Sequence, residues 1–315
     1  MTNAIRTVLG DLAPTDLGRT DYHEHLLQAS PLLPGDDLDD VDRSAEEVVA
    51  LREAGIEALV ELTPIGLGRD PTGLRSIAER TGMHIVMATG VHRDEHYTES
   101  HPVRRLDEQA LGSLFIDELT VAATTWGTDG GTPVPVVGVR AGVIKVGVGY
   151  WRISPFERQV LSAAAVAQRR TGAAIVCHLE LGTAAWEVLH FLTDQGVPPD
   201  RVVLAHADRN PDPGLHLELA AAGAYLGYDG MARAKYWPDS VLLDCLLAVA
   251  DRGGADRLLL GGDVARRRSF VSYGGMPGMA YLPERFVPRI ERSAGADLVR
   301  RVLVENPARV FAMPA

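Results

Sequence analysis

Short β-rich apolar runs alternate with amphipathic segments along almost the whole of this 315-residue chain. Such alternation is typical of βα units, in which each strand is followed by a helix that packs on the sheet. Several runs, such as 175–177 and 202–204, are continuously apolar, as expected for parallel strands covered on both faces. The predicted strands are Thr20 to Leu26, Ala58 to Thr63, His84 to Thr89, Gly142 to Val148, Ala173 to Leu179, Arg201 to Ala207, Gly223 to Tyr228 and Arg257 to Asp263.

Helical patterns fill the intervals between these strands. The predicted helices are Ser44 to Ala54, Gly73 to Arg80, Leu114 to Thr125, Pro155 to Arg170, Thr183 to Gln195, Leu215 to Ala222, Ser240 to Arg252 and Asp297 to Glu305. Ser44 with Glu47 forms a candidate capping box, and Ser154 with Pro155 pairs an N-cap with a proline at the first helical position. About eight βα units in a chain of this length favour a (β/α)8 TIM barrel over an open doubly wound sheet, and no linker divides residues 1–315, so we expect a single domain.

Composition excludes several classes of protein. Hydrophobic residues make up 46% and charged residues 23% of the chain, which is ordinary globular composition. The formal net charge of −11 argues against a nucleic-acid partner, and no apolar window is long enough for a membrane span. With only two cysteines, Cys177 and Cys245, and no signal-peptide pattern, we expect a cytoplasmic protein.

Histidines and an aspartate fall where the predicted strands end. His23 and His25 are two residues apart, so on a strand their side chains point to the same side, as a metal-chelating pair requires. His178, His206 and Asp263 come at the carboxyl ends of three later strands, the rim at which barrel enzymes build their active sites. Taken alone, each histidine is more often a hydrogen-bonded core residue or an ordinary strand-end residue than a metal ligand, so the joint occurrence carries the prediction.

Lys145 interrupts an apolar strand, 141–148, that should be covered on both faces. Burial lowers the pKa of a lysine and favours the neutral amine, which can condense with carbon dioxide to an anionic carbamate. The alternative is a lysine whose head group reaches the rim of the barrel and stays in water. With a carbamate, these six side chains suit a pair of divalent cations.

These residues, in this order on these strands, resemble the phosphotriesterase family of the amidohydrolase superfamily, and the likeness runs from Val8 to Phe311. Further motifs narrow the resemblance to the branch whose characterised members hydrolyse phosphorylated sugar lactones, more than to the organophosphate-degrading enzymes or the acyl-homoserine lactonases. Those motifs are residues 142–145, 177–178, 206–213, 228–230, 235–240 and 305–309.

The resemblance implies a binuclear metal site. The implied ligands are His23, His25 and Asp263 for the more buried metal, His178 and His206 for the more exposed one, and carbamylated Lys145 together with a hydroxide as bridges. The hydroxide would attack the lactone carbonyl, and Asp263 would carry the proton to the leaving oxygen. Histidine and carboxylate ligands suit zinc, and also manganese, cobalt or iron.

The resemblance also implies contacts to phosphate, because Lys235 and Arg266 match positions that contact phosphate in that branch. Two further candidates follow from position alone. Tyr150 follows the fourth strand, where it could wall the pocket. Asp208 could orient His206 or a substrate hydroxyl as a neighbouring group. Each of these has an alternative as an ordinary surface or packing residue.

One stretch departs from the branch. Ser269 stands where the branch has a tyrosine, and Arg268 stands where it has a smaller residue. Arg267, Arg268 or Tyr273 could compensate, so Tyr273 is a further candidate substrate contact.

The sequence therefore predicts a metal-dependent lactonase that acts on a small, sugar-type and possibly phosphorylated lactone. The alternatives are a hydrolase of other carboxylic esters or of organophosphate triesters at the same metals, and a binding or scaffold protein with little catalysis. A mononuclear, deaminase-like site would not need Lys145. The family also makes a homodimer possible.

Overall fold

Eight parallel strands form the centre of the fold. The computed structural model describes residues 3–126 and 133–314 of the chain. Its strands are β1 (Asn3–Thr7), β2 (Gly10–Leu12), β3 (Thr20–Glu24), β4 (Ala58–Glu61), β5 (His84–Gly90), β6 (Ala123–Thr125), β7 (Val134–Val136), β8 (Val143–Val148), β9 (Ile175–Leu179), β10 (Val202–Ala205), β11 (Tyr225–Tyr228), β12 (Leu258–Leu260) and β13 (Met313–Pro314). The large sheet has the order β3-β4-β5-β8-β9-β10-β11-β12, and all its pairs are parallel.

This sheet is nearly closed into a barrel. β12 lies beside β3, and the backbone N–H of Asp263, just after β12, donates to the carbonyl oxygen of His23 in β3 at 2.7 Å. The predicted (β/α)8 barrel is confirmed, and each of its eight predicted strands is present. Four of the eight strands end earlier than predicted, and in three of them His25, His206 or Asp263 lies just after the last strand residue.

Helices surround the barrel. They are α1 (Val41–Glu53), α2 (Pro71–Thr81), α3 (Glu108–Thr120), α4 (Pro155–Thr171), α5 (Ala185–Asp194), α6 (Pro213–Ala221), α7 (Asp239–Val249), α8 (Val287–Ala294), α9 (Ala296–Arg300) and α10 (Asn306–Val310). A π-helical turn, Arg301–Glu305, joins the last two, so the final predicted helix continues further than expected. Among the described residues, no helix is long and apolar enough to cross a membrane.

Two local predictions fail for identifiable reasons. The third helix begins at Glu108, not Leu114, because the carboxylate of Asp107 accepts the Ala110 N–H and caps it there. The predicted capping box at Ser44 is also wrong, because Asp40 caps α1 four residues earlier. By contrast, Ser154 is the N-cap of α4 and Pro155 its first residue, as the Ser-Pro signal indicated, and Glu157 completes a capping box there.

The two faces of each barrel strand divide the core into an inner and an outer layer. Along β8, Val143 packs in the inner cluster, whereas Ile144 and Val146 pack outward against the helices. Strand alternation therefore turns Lys145 inward. At the amino-terminal end of the barrel, Ile5 of the small β13-β1-β2 sheet packs into the inner cluster. Polar inward side chains collect at the opposite, carboxyl end.

Candidate metal centre

His23 and His25 meet Asp263 at the junction between the first and last barrel strands. The pairing of β3 with β4 shifts register between Asp21 and Glu24, and the strand ends before His25. Both imidazoles nevertheless face Asp263, with Nε2 of His23 at 3.5 Å and Nε2 of His25 at 3.4 Å from its Oδ1. The structure thus brings together the pair that the sequence singled out.

Lys145 lies inside the barrel beside this group. Its side chain is buried, with a residue exposure of 2%, and its Nζ is 3.4 Å from Nε2 of His23. The expected alternative, a head group that escapes to water, is therefore wrong. Burial lowers the pKa of Lys145 to about 8, although the nearby Asp263 carboxylate opposes that shift. Gly90, opposite Lys145 in the ladder, lets the strands approach, because a Cβ there would lie 2.0 Å from the Lys145 carbonyl oxygen.

His178 and His206 form the other half of the cluster. His178 is the fourth residue of β9, and His206 follows β10 with a left-handed φ of 63°. That backbone conformation is unusual for a residue with a side chain, and it turns the imidazole towards the barrel axis. Nε2 of His206 lies 2.8 Å from Nδ1 of His178. Both side chains are buried.

Asp263 presents its two oxygens to different groups. Oδ1 faces the imidazoles, whereas Oδ2 accepts hydrogen bonds from Arg209 at 3.0 Å and pairs with Arg233 at 2.9 Å. Burial by itself would raise the pKa of Asp263, but Arg233 and His23 outweigh burial and hold it well below the usual range. The residue also has a positive φ, 47°, which re-aims the chain after β12. Asp263 is thus ionised in this setting.

The outer nitrogens of the imidazoles are held by hydrogen-bonding partners. Asp229, at the end of β11, bonds Nδ1 of His206 at 2.6 Å and Nδ1 of His23 at 3.0 Å. Nδ1 of His25 bonds the hydroxyl of Thr63 at 2.8 Å. These bonds fix each ring and leave its Nε2 facing the cluster, which is the usual arrangement around histidine metal ligands.

Sequence reasoning did not single out Asp229, Arg209 or Arg233 as functional residues. Asp229 stands out only within the 228–230 motif, although a carboxylate directly after an apolar strand carries the same signal as Asp263. The two arginines lie on loops, where spacing alone does not predict which side chain reaches the barrel axis.

The donor set fits divalent cations. His23, His25 and Asp263 each offer one ligand atom within 4.8 Å of the others, and His23, His206 and Asp229 do the same. In the second group, the Asp229 carboxylate is hydrogen-bonded to Nδ1 of both His23 and His206. Asp229 therefore orients the two rings and is not counted among the metal ligands. Burial lowers the pKa of His206 to about 4 and that of His178 well below its usual value. The imidazoles are therefore neutral at neutral pH, as metal ligation requires.

A cavity of about 660 Å³ opens onto this cluster. Its wall includes all six predicted metal ligands together with Lys235 and Arg266, the two predicted phosphate contacts. The described lining residues do not include Tyr150, Asp208 or Tyr273. Tyr150 is 60% exposed outside the cavity, Asp208 is buried against the Gly230 N–H, and the hydroxyl of Tyr273 accepts from the Asp40 N–H at 3.0 Å. These three side chains therefore do not line the cavity, and their contacts to substrate stay predictions.

Comparison with known proteins gives a consistent picture. A family model described as the phosphotriesterase family matches residues 3–311. A phospho-furanose lactonase from Mycoplasmopsis synoviae (strain 53) is 30% identical over 98% of this chain and 91% of its own length. A lactonase from Listeria monocytogenes superposes with a TM-score of 0.88 at 31% identity, over 98% of each chain. A triple variant of an organophosphorus hydrolase from Deinococcus radiodurans superposes at 0.82 and 29% identity, over 99% of this chain and 97% of its own.

Proposed function

The chain belongs to the phosphotriesterase family, and from that premise we propose that it is a metal-dependent hydrolase that opens a phosphorylated, sugar-type lactone. One observation carries the proposal: five barrel strands deliver buried nitrogen donors and a carboxylate to one end of a cavity. The outer wall of that cavity, formed by loop residues that include Lys235 and Arg266, is cationic. The similarity to proteins named as lactonases supports the ester bond of a lactone as the target.

Two divalent cations are proposed, held by the residues that the sequence identified. The proposed ligands are His23, His25 and Asp263 for one cation, His178 and His206 for the other, and a carbamate on Lys145 for both. The position of Lys145 supports the carbamate, because its head group is buried beside His23, where an ammonium ion would lose its hydration. Zinc suits this ligand set, and manganese, cobalt or iron are alternatives that metal analysis distinguishes.

When bound, such cations lower the pKa of a water molecule and polarise an ester carbonyl. The protein supplies the remaining steps. Asp263 accepts a proton from the attacking water at Oδ2, the oxygen that faces Arg209 and Arg233. Because Arg233 helps to keep the pKa of this carboxyl low, the proton is passed on readily to the ring oxygen that leaves. Lactone opening yields the hydroxy acid.

The outer cavity wall supports a phosphate on the substrate. Lys235 and Arg266 extend into the cavity from the loops that follow β11 and β12. A phosphate monoester carries a charge of about −1.5 to −2 at neutral pH and takes charge-assisted hydrogen bonds from such groups. We also propose that the protein works in a reducing, cytoplasmic compartment, with Cys177 and Cys245 buried as free thiols.

Metal analysis combined with a substrate screen tests this function. Protein grown with zinc or manganese is analysed for metal content, then assayed by acid release with phosphorylated and neutral furanose lactones. About two metals per chain, the stoichiometry of a binuclear site, together with a preference for the phosphorylated lactone is the expected result. Metal without lactone turnover, but with turnover of organophosphate triesters, would favour the activity of the Deinococcus relative. No bound metal would refute the enzyme function.

The carbamate has a direct test of its own. Lys145 and Lys235 are the only lysines in the sequence, so carbon-13 NMR after incubation with ¹³C-labelled bicarbonate has just two candidate side chains. A carbamate signal should persist in Lys235→Ala and vanish in Lys145→Ala. A signal that follows Lys235 instead would contradict the proposed bridge.

A further inference from the structure

The cationic side chains of the cavity wall differ in how their charges are compensated. They are Arg93, Arg209, Arg233, Lys235, Arg266 and Arg268. Arg93 pairs with Glu180 at 2.9 Å, and the next two arginines share Asp263. Within residues 3–126 and 133–314, Lys235 has no carboxylate partner and lies over the ring of Tyr236. Lys235 therefore places uncompensated positive charge on the side of the cavity formed by the loops after β11 and β12.

Arg266 and Arg268 share a single carboxylate, that of Asp36. Their NH1 atoms lie 3.1 Å and 3.4 Å from the same Oδ2 atom. Asp36 is well covered, with a side-chain exposure of 11%, whereas the side chains of Arg266 and Arg268 are 38% and 66% exposed. One carboxylate cannot neutralise two guanidinium groups. The three-residue group, which we call the Asp36 clasp, keeps a net positive charge beside the cavity.

The backbone around the clasp is tied down on both sides. The N–H of Arg267 donates to the carbonyl oxygen of Asp36 at 3.2 Å. The side chain of Gln28 donates to the carbonyl oxygen of Ala265 at 3.0 Å. Asp36 itself donates its N–H to Leu33. These bonds fix the segment after β3 against the loop after β12, and so keep the Asp36 carboxylate within reach of both guanidinium groups.

We propose that Asp36 is a positioning residue for phosphate recognition: it holds Arg266 and Arg268 on the cavity wall, where together with Lys235 they receive the phosphate of the substrate. This inference rests on the proposed function and goes further, because Asp36 itself lies outside the cavity lining. The clasp and Lys235 together supply two net positive charges, which match the charge of a phosphate dianion. Holding the guanidinium groups in advance lowers the entropy cost of binding.

Replacement of Asp36 by asparagine tests the proposal in the full-length, metal-loaded enzyme. Asp36→Asn keeps the shape and removes the charge that orders the two arginines. The KM for a phosphorylated furanose lactone should rise about tenfold, the loss expected for about one charge-assisted hydrogen bond, with kcat changed less than about twofold. The KM and kcat for the neutral lactone should stay unchanged.

The same loops offer a matched control. Asp39 pairs with Arg267 at 3.6 Å, but neither residue lines the cavity. Asp39→Asn removes a carboxylate from the same segment and should leave both substrates unaffected. Likewise Arg268→Met should reproduce the selective rise in KM, whereas Arg267→Met should not. If Asp36→Asn fails to fold, comparison of Arg268→Met with Arg267→Met still tests the proposal.

Several results would overturn the proposal. Equal losses with the phosphorylated and the neutral lactone would mean that Asp36 only stabilises the fold. A lower KM in Asp36→Asn would mean that the carboxylate competes with phosphate for the arginines.

Calorimetric measurement of inorganic phosphate binding distinguishes failure of the positioning role of Asp36 from failure of the proposed lactonase function. If no lactone is turned over but Asp36→Asn still weakens phosphate binding severalfold relative to Asp39→Asn, the function is wrong and the positioning role stands. Equal phosphate affinity in both variants would refute the positioning role.

Discussion

The two walls of the cavity are built in different ways. The inner wall consists of side chains at the ends of barrel strands, buried and each held by a second group, as Asp229 holds His23 and His206. The outer wall consists of loop residues such as Lys235 and Arg268, which are largely exposed and held by few contacts. The difference separates two tasks: side chains at the strand ends hold the reacting groups, and loop side chains determine which substrate binds.

This comparison predicts different kinetic effects for substitutions in the two walls. Damage to the inner wall should reduce turnover of every substrate, because all substrates use the same reacting groups. Damage to the outer wall should change KM selectively, because only a substrate with a matching charge uses those side chains. The following variants test whether the two walls are in fact independent.

The largest effect is expected from Asp263→Asn. The change removes the carboxylate that moves the proton, so kcat should fall by about 10³-fold, within the usual range for lost general acid–base catalysis. The loss should be the same for phosphorylated and neutral lactones. Near-normal kcat in a variant that retains its metal would refute the proton-transfer role.

Lys145→Ala should lose most of the metal bound at the inner wall. Without the bridging group the metal content should drop, and short-chain carboxylates added to the medium should restore part of the activity by occupying the space left by the side chain. Elemental analysis and rescue kinetics measure both. Lys235→Ala is the matched control, because it removes the chain's other lysine and should keep a full metal content. Undiminished metal in Lys145→Ala would contradict the bridging role.

Asp229→Asn should weaken metal binding by about 10–100-fold, because it no longer orients both His23 and His206. Competition with a chelator measures the affinity. Asp208→Asn offers a comparison on the neighbouring loop, since this buried carboxylate bonds the Gly230 N–H and no predicted ligand. If Asp208→Asn loses metal to the same extent as Asp229→Asn, general damage to the fold would explain both, and the orienting role of Asp229 would fail.

The sequence predicted the inner wall far better than the outer wall, and the reason is physical. Strand period and strand end together specify where a side chain points, so the amino-acid pattern alone assigns His178, His206 and Asp263 to one rim. Lys145 was identifiable because an ammonium ion is costly within a doubly covered strand. The positive φ angles of His206 and Asp263 were not predictable from the pattern.

The outer wall is formed by loops of irregular structure, in which residue spacing does not predict where a side chain points. Tyr150 and Tyr273, for example, were predicted to contact substrate, but neither lines the cavity. Asp36 carries no signal in the sequence, because its role depends on a contact with residues 230 positions further along the chain. Long-range pairing between loops is the information that a single sequence lacks.

Lys235→Ala should have the smallest effect of these variants and the most selective one. It removes an uncompensated charge from the outer wall, so the KM for a phosphorylated lactone should rise about tenfold, as expected for one charge-assisted contact. The neutral lactone should be unaffected, because no inner-wall contact is disturbed. Steady-state kinetics with the two lactones provides the measurement, and Lys235→Arg should retain most of the affinity. An equal effect on both substrates would mean that the two walls are coupled and do not act independently.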